Sequence, residues 1–344
     1  MKVLVDQASL ANFLRTTVPE FEGRFEIARI GEGQSCLTFS VTGEDWEIVL
    51  RRPPRGELAP GAHDVGREFR VLEAVWKNGG VPVARPIVFC GDTDVIGAPF
   101  YLMERVDGVV IRDHLPPQFD DDASRRGIGE ELVDVLADLH SIDVESAGLS
   151  GLGKPGPFLE RHLRRIMELS EQTRTRKIPA QEDLSDWLNE HRPDDRPSHL
   201  IHGDFKLDNV IFGPSAPPRV AALIDWEIAT IADPLVDLGW LLYFWYEDET
   251  EFDIKLPVAS VMTEPGFMNR HEMLELYVER TGAETPNIRW YVVLAGWKIS
   301  IIMESSYRRY LAGDADHESF AALEHDVVAL AERAQRFAHD ELSL

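Results

Sequence analysis

Apolar and polar positions alternate in short runs through the first hundred residues and at helical spacing through most of the rest. Phe25–Ile30, Cys36–Val41 and Trp46–Arg52 are brief stretches rich in β-branched and aromatic residues, which predicts strands. Thr42-Gly43-Glu44-Asp45 reads as the hairpin connector between the second and third. A helix is predicted over Val65–Asn78 and is stopped by Gly79-Gly80. Two more strands follow at Ala84–Cys90 and Phe100–Arg105. Beyond Val106-Asp107-Gly108 the period changes. Ile128, Leu132, Val135, Leu136 and Leu139 recur at helical spacing, as do Leu159, Leu163, Ile166 and Met167. Further helices are predicted near Glu272–Arg280, Arg289–Leu311 and Ser319–Ala338. The pattern predicts an α+β chain with a β-rich N-terminal lobe over 1–105 and a mainly helical C-terminal lobe over 106–344.

Composition narrows the function. The chain has 344 residues, 44% hydrophobic and 28% charged, with 35 basic against 60 acidic residues and a formal charge of −25. Such an excess argues against nucleic-acid binding, which runs on basic patches, and against docking on an anionic membrane. Two cysteines, Cys36 and Cys90, make no disulfide framework, so a cytoplasmic setting is expected. Leu238–Tyr246 is too short to span a bilayer and Trp290–Met303 carries Lys298, so no transmembrane segment is expected.

The densest chemistry lies in His202-Gly203-Asp204-Phe205-Lys206-Leu207-Asp208-Asn209, bracketed by Leu200-Ile201 and Val210-Ile211-Phe212. Downstream, Ala222-Leu223-Ile224 leads to Asp225 at a strand end. Phosphoryl transfer from a nucleotide needs such a set: one carboxylate to receive the acceptor proton, oxygen ligands for Mg²⁺ and a cation near the phosphate.

These motifs resemble the aminoglycoside phosphotransferase and choline kinase-like family, which has a protein kinase-like two-lobe fold. His202, Asp204, Lys206 and Asn209 keep the spacing of the H-R-D-L-K-x-x-N loop, with Gly203 at the Arg position. The resemblance implies that Asp204 is the catalytic base, that His202 orients the loop and that Lys206 lies near the γ-phosphate. It implies Asn209 and Asp225 as Mg²⁺ ligands and ATP as phosphoryl donor. Gly31, Gly33, Gln34 and Ser35 stand where a phosphate-covering loop would be, though Cys36 takes the place of its last glycine. Val49 would cover the adenine, and Arg51, on the same strand face, would meet phosphate where kinases carry Lys. Glu68 is placed to pair with Arg51. Phe100–Val106 resembles the interlobe hinge, where the backbone of Glu104 and Val106 would pair with the adenine edge and Met103 would pack beside the pocket, though these side chains could equally be core.

The short interval between Asp225 and Asp233-Pro234-Leu235-Val236-Asp237-Leu238 leaves no room for a protein-kinase activation loop, so a small-molecule hydroxyl acceptor is expected. In the family Asp237 braces the catalytic loop. Acceptor-lining candidates are Trp240, Tyr243, Phe244 and Trp245, then Glu247, Asp248, Glu249, Glu251 and Asp253, with Trp290, Trp297 and Tyr307 from the late helix; core aromatics beside a solvated acidic loop are the equal alternative. The acceptor stays open between a hydroxyacyl-CoA and an aminoglycoside-like compound. The Arg51-Arg52-Pro53-Pro54 strand is similar to the family branch associated with acyl-CoA dehydrogenases. The alternative is a nucleotide-binding pseudokinase that regulates a partner protein, for which Arg51 and the missing glycine speak.

Overall fold

The computed structural model describes residues 4–31, 36–54, 63–154, 156–248, 251, 254, 261–313 and 318–344. They form two compact units. The first comprises Met1–Asp107 with Ala221–Ala229, and the second Gly108–Val220 with Thr230–Leu344.

The first unit is built on a five-stranded antiparallel sheet in the order β1-β2-β3-β5-β4. Its strands are β1 (Glu26–Ile30), β2 (Leu37–Thr42), β3 (Glu47–Arg52), β4 (Pro86–Cys90) and β5 (Phe100–Glu104). Strand period divides β3 between two faces. Ile48 and Leu50 enter a hydrophobic core with Phe39, Val41, Phe100 and Leu102. Val49 and Arg51 point the other way, where Val49 is opposite Met103 and Arg51 opposite Tyr101 on β5.

A helix that the apolar pattern does not announce covers the core face. It is α1 (Gln7–Thr17), capped by the Asp6 carboxylate on the Ser9 N–H. Its buried residues are Leu10 and Leu14, one helical turn apart. Phe13 meets Phe100 edge to face. The predicted helix α2 (Val65–Asn78) opens on an Asp64 cap and ends at Gly79 in a positive-φ conformation. The strand at 84–90 begins at Pro86, which lacks the N–H a ladder needs. A one-turn helix, α3 (Thr93–Ile96), precedes β5.

The second unit is mainly helical. It contains β6 (Val109–Val110), α4 (Asp122–Ser141), α5 (Phe158–Thr173), α6 (Pro179–Glu190), β7 (His199–Ile201) and β8 (Val210–Phe212). After β9 (Val220–Leu223) come β10 (Thr230–Ala232), α7 (Leu235–Tyr243), α8 (Arg270–Thr281), α9 (Ile288–Leu311) and α10 (Leu323–Ala338). β6 pairs with β8, and β7 with β10, both antiparallel. Every residue of α7 is buried. Two glycines set its surroundings. A Cβ on Gly239 would lie 2.6 Å from the Tyr291 backbone, and one on Gly296 would lie 2.4 Å from the Tyr243 ring and 2.7 Å from the Ala334 Cβ. Glycine therefore lets α7, α9 and α10 close on one another at side-chain-free points. No described helix is long and apolar enough to cross a membrane.

Candidate active site

The polar loop after β7 is held from α7. Asp237 and Trp240 stand three residues apart, on one face of that helix. The fully buried Asp237 carboxylate accepts from the His202 N–H at 2.6 Å and the Gly203 N–H at 2.7 Å. His140 Nε2 lies 3.6 Å from the same carboxylate. Gly203 has φ +86°, in the left-handed region that favours glycine, and this bends the chain so that both N–H groups converge on Asp237. The Asp204 N–H then donates to His202 Nδ1 at 3.3 Å, so the buried His202 ring braces the loop from inside.

The Asp204 carboxylate is clamped at both oxygens. Trp240 Nε1–H donates to Oδ1 at 2.8 Å and the Asn209 amide to Oδ2 at 2.8 Å. The same amide reaches the Asp204 carbonyl at 2.8 Å. Because the amide nitrogen is spent on Asp204, Asn209 Oδ1 is left as an oxygen donor. Burial pushes the Asp204 pKa up, while Lys206, His202 and the Asn209 bond pull it down. Lys206 binds Asp208 at 3.2 Å and lies 5.5 Å from the Phe244 ring centroid.

The first unit brings together a second set. Arg51 donates from Nε to Glu68 Oε2 at 3.1 Å and from Nη2 to Asp225 Oδ1 at 2.6 Å. Burial works against the Arg51 charge, but Glu68, Tyr101 and Asp225 outweigh it and raise its pKa. Burial pushes Glu68 up to about 7 against the pull of Arg51. Arg52 faces away and is buried, donating to the Ile96 carbonyl at 3.1 Å and to that of Leu4. Asp225 has φ +70°, a left-handed conformation uncommon for a non-glycine residue. Its segment is tied down by the Leu223 N–H on the Pro82 carbonyl at 2.8 Å. Arg67 on α2 adds a bond to the Glu227 carbonyl at 3.2 Å and another to Ala229.

Other sequence-derived positions fall as follows. Gly31 follows β1 with φ +73°, while Gly33, Gln34 and Ser35 lie outside the described residues. Val49 is buried, Met103 and Val106 half-buried, and Glu104 exposed at the end of β5, its N–H bonded to the Arg85 carbonyl at 2.9 Å. Of the expected acceptor lining, Glu247 and Glu251 are engaged elsewhere: Arg270 binds Glu251 at 2.9 and 3.0 Å and Glu247 at 3.0 Å, and Arg333 binds Glu251 at 2.8 Å. Asp248 is exposed, while Glu249 and Asp253 lie outside the described residues. Tyr243, Trp245, Trp290 and Trp297 are buried with their polar atoms on the carbonyls of Leu330, Met268, Leu188 and Gln181. Tyr307 is buried under Arg176. These are core positions. Trp240 instead donates to Asp204 itself, a contact that its spacing from Asp237 on one helix signals.

A family model described as the phosphotransferase enzyme family matches residues 26–258. The chain belongs to the phosphotransferase enzyme family. Among the chain's curated relatives, acyl-CoA dehydrogenase family member 11 of Gallus gallus is 35% identical over 340 residues, covering 95% of this chain and 43% of that protein. The chain thus spans less than half the length of that relative. A proposed aminoglycoside phosphotransferase from Ralstonia eutropha superposes with a TM-score of 0.81 at 30% identity, covering 97% of this chain and 98% of its own. A thermostable variant of aminoglycoside phosphotransferase APH(4)-Ia, in ternary complex with AMP-PNP and hygromycin B, has a TM-score of 0.61 at 16% identity and covers 98% of this chain and 100% of its own. The fold is the kinase-like α+β fold of these enzymes.

Proposed function

We propose that this phosphotransferase moves the γ-phosphoryl group of ATP to a hydroxyl of a small molecule. The observation that carries the reading is the Asp204 carboxylate, fixed by Trp240 and Asn209 and raised in pKa by burial. A base so held receives the hydroxyl proton as the acceptor oxygen bonds to the γ-phosphorus and the bond to ADP breaks. Lys206 offers positive charge toward the phosphate. Gly31 and the neighbouring Gly33, Gln34 and Ser35 belong to the phosphate-covering loop. Val49, Met103 and Val106 line the adenine, and Glu104 contributes its carbonyl, since its N–H is committed to Arg85.

The residues suit Mg²⁺. Asn209 keeps an amide oxygen and Asp225 keeps Oδ2, because Arg51 takes Oδ1. Such hard oxygen donors are what the ion prefers. Asn209 and Asp225 would hold it, and when bound it neutralises charge on the phosphates. Arg51, pinned by the buried Glu68, orients Asp225 in turn.

The nucleotide complex of the APH(4)-Ia neighbour and the C-terminal catalytic loop support ATP use. For the acceptor, the likeness to an acyl-CoA dehydrogenase family member favours a hydroxyacyl-CoA over an aminoglycoside. The loss of Glu247 and Glu251 to Arg270 and Arg333 weakens the case for a polycation pocket in that acid run. The test is ADP formation from ATP and Mg²⁺ over a panel of hydroxyacyl-CoA thioesters and aminoglycosides. Turnover on the thioesters is expected; ATP binding without turnover on any alcohol would contradict the reading.

A further inference from the structure

Lys298 belongs to no motif of the catalytic set, yet it leans on that set from α9. Its ammonium lies 4.3 Å from the centroid of the Trp240 ring, and its one hydrogen bond among the described residues is to the Gly203 carbonyl at 3.4 Å. The Trp240 indole in turn donates its N–H to Asp204 Oδ1 at 2.8 Å. An ammonium, an aromatic face and a carboxylate therefore stand in series, and the far end of the series is the proposed base. The arrangement is costly for lysine. Burial lowers its pKa, opposed by the attraction of Asp204 and Asp237, and Arg165 on α5 adds like-charge repulsion. His162, also on α5, is held neutral by its own burial and by Lys298 and Arg165. A lysine needed for packing alone would keep its head in water.

Two physical effects follow. A cation on an indole face is attracted to the ring's negative quadrupole, which fixes the ring plane. It also draws ring electrons toward itself, making the Nε1 proton more positive and its bond to a carboxylate stronger. The Trp240 N–H points at one oxygen of Asp204 while Asn209 holds the other, so the rotation of the carboxylate is set by the indole.

We propose that Lys298 is a positioning residue for phosphoryl transfer: seated on the Trp240 ring, it fixes the indole whose N–H orients the Asp204 carboxylate toward the acceptor hydroxyl. The inference rests on the phosphotransferase reading of Asp204.

The test is a double-mutant cycle on ATP turnover, with water or an identified alcohol as acceptor, using Lys298→Met, Trp240→Phe and the double variant. Misplacing a base costs between about tenfold and a hundredfold in kcat, so each single variant should lose that much while KM for ATP is unchanged. If Lys298 acts through the indole, the double variant is no slower than Trp240→Phe, whereas independent effects would multiply. Lys298→Arg should recover most of the rate, because guanidinium also stacks on indole. Multiplying losses, or wild-type kcat in Lys298→Met, would overturn the proposal. A second readout needs no activity. In ¹⁵N-tryptophan-labelled protein the Trp240 indole N–H resonance, assigned by its loss in Trp240→Phe, should move upfield in Lys298→Met. An unmoved resonance would overturn the proposal too. Absence of turnover in the wild type would instead sink the functional reading, and the indole shift would still decide whether Lys298 acts on Trp240.

Discussion

Arg51 and Asp225 are 174 residues apart in sequence and joined by a hydrogen-bonded ion pair of 2.6 Å. Glu68 holds the other side of the same guanidinium and is only 2% exposed. Replacing Arg51 by Met leaves that carboxylate buried without its cation. Loss of one partner from a buried pair costs about 3–5 kcal/mol, so the urea midpoint of Arg51→Met should fall accordingly. Glu68→Gln, which removes the charge but keeps the shape, should cost less. Equal midpoints for Arg51→Met and wild type would show that the pair contributes nothing to the fold.

The proposed metal-binding role of Asp225 can be tested apart from its pairing with Arg51. Asp225→Ala should weaken Mg·ATP binding in calorimetry while leaving magnesium-free ATP binding little changed. Full Mg·ATP affinity in that variant would contradict its assignment as a metal ligand.

The two thiols should be inert in the folded protein. Both are free and buried, and burial pushes Cys36 up to about 12 against the pull of Arg51, and Cys90 upward as well. Reaction runs through the thiolate, so iodoacetamide at pH 8 should label neither until denaturant is added. Prompt labelling of the native protein would contradict this environment for Cys36.

Acid stability should report on His162. Burial, with Lys298 and Arg165, lowers its pKa from 6.5 to about 3. The unfolded chain therefore binds a proton between these values that the folded chain does not, and stability falls as pH drops from 6.5 toward 3. Above 6.5 the ring is neutral in both states and adds no slope. His162→Gln should flatten the dependence of Tm on pH in that window and leave it unchanged at pH 8. An unaltered slope would count against a neutral His162.

Gly239 gives a packing test. An added Cβ 2.6 Å from the Tyr291 backbone forces α7 and α9 apart, an overpacking cost of about 1–3 kcal/mol. Since α7 carries Asp237 and Trp240, Gly239→Ala should lower both Tm and turnover. Gly151→Ala, where a Cβ meets nothing within 4 Å, should change neither.

Where period and punctuation were strong, the sequence was a good guide. Helix α2 falls on Val65–Asn78 and the strand-rich start on the five-stranded sheet. Helix α1 is not legible in the sequence because its buried face rests on Leu10 and Leu14, too few apolar positions to mark a period. The loop from His202 to Asn209 was legible because its chemistry is contiguous. The Lys298–Trp240–Asp204 series was not, since it joins α9, α7 and the loop through tertiary packing. The pairing within the acid run near Glu247 is hidden for a related reason: nothing local shows that Arg270 and Arg333 neutralise Glu251.

Most directly at stake is the proposed role of Asp204 as the base of an ATP-dependent phosphoryl transfer. The measurement is ADP release with Mg²⁺ and an acceptor turned over by the wild type, compared with Asp204→Asn, alongside ATP binding for both. General-base loss predicts that kcat falls by on the order of 10²–10⁴ while ATP affinity stays near normal. Wild-type turnover in Asp204→Asn would contradict the account.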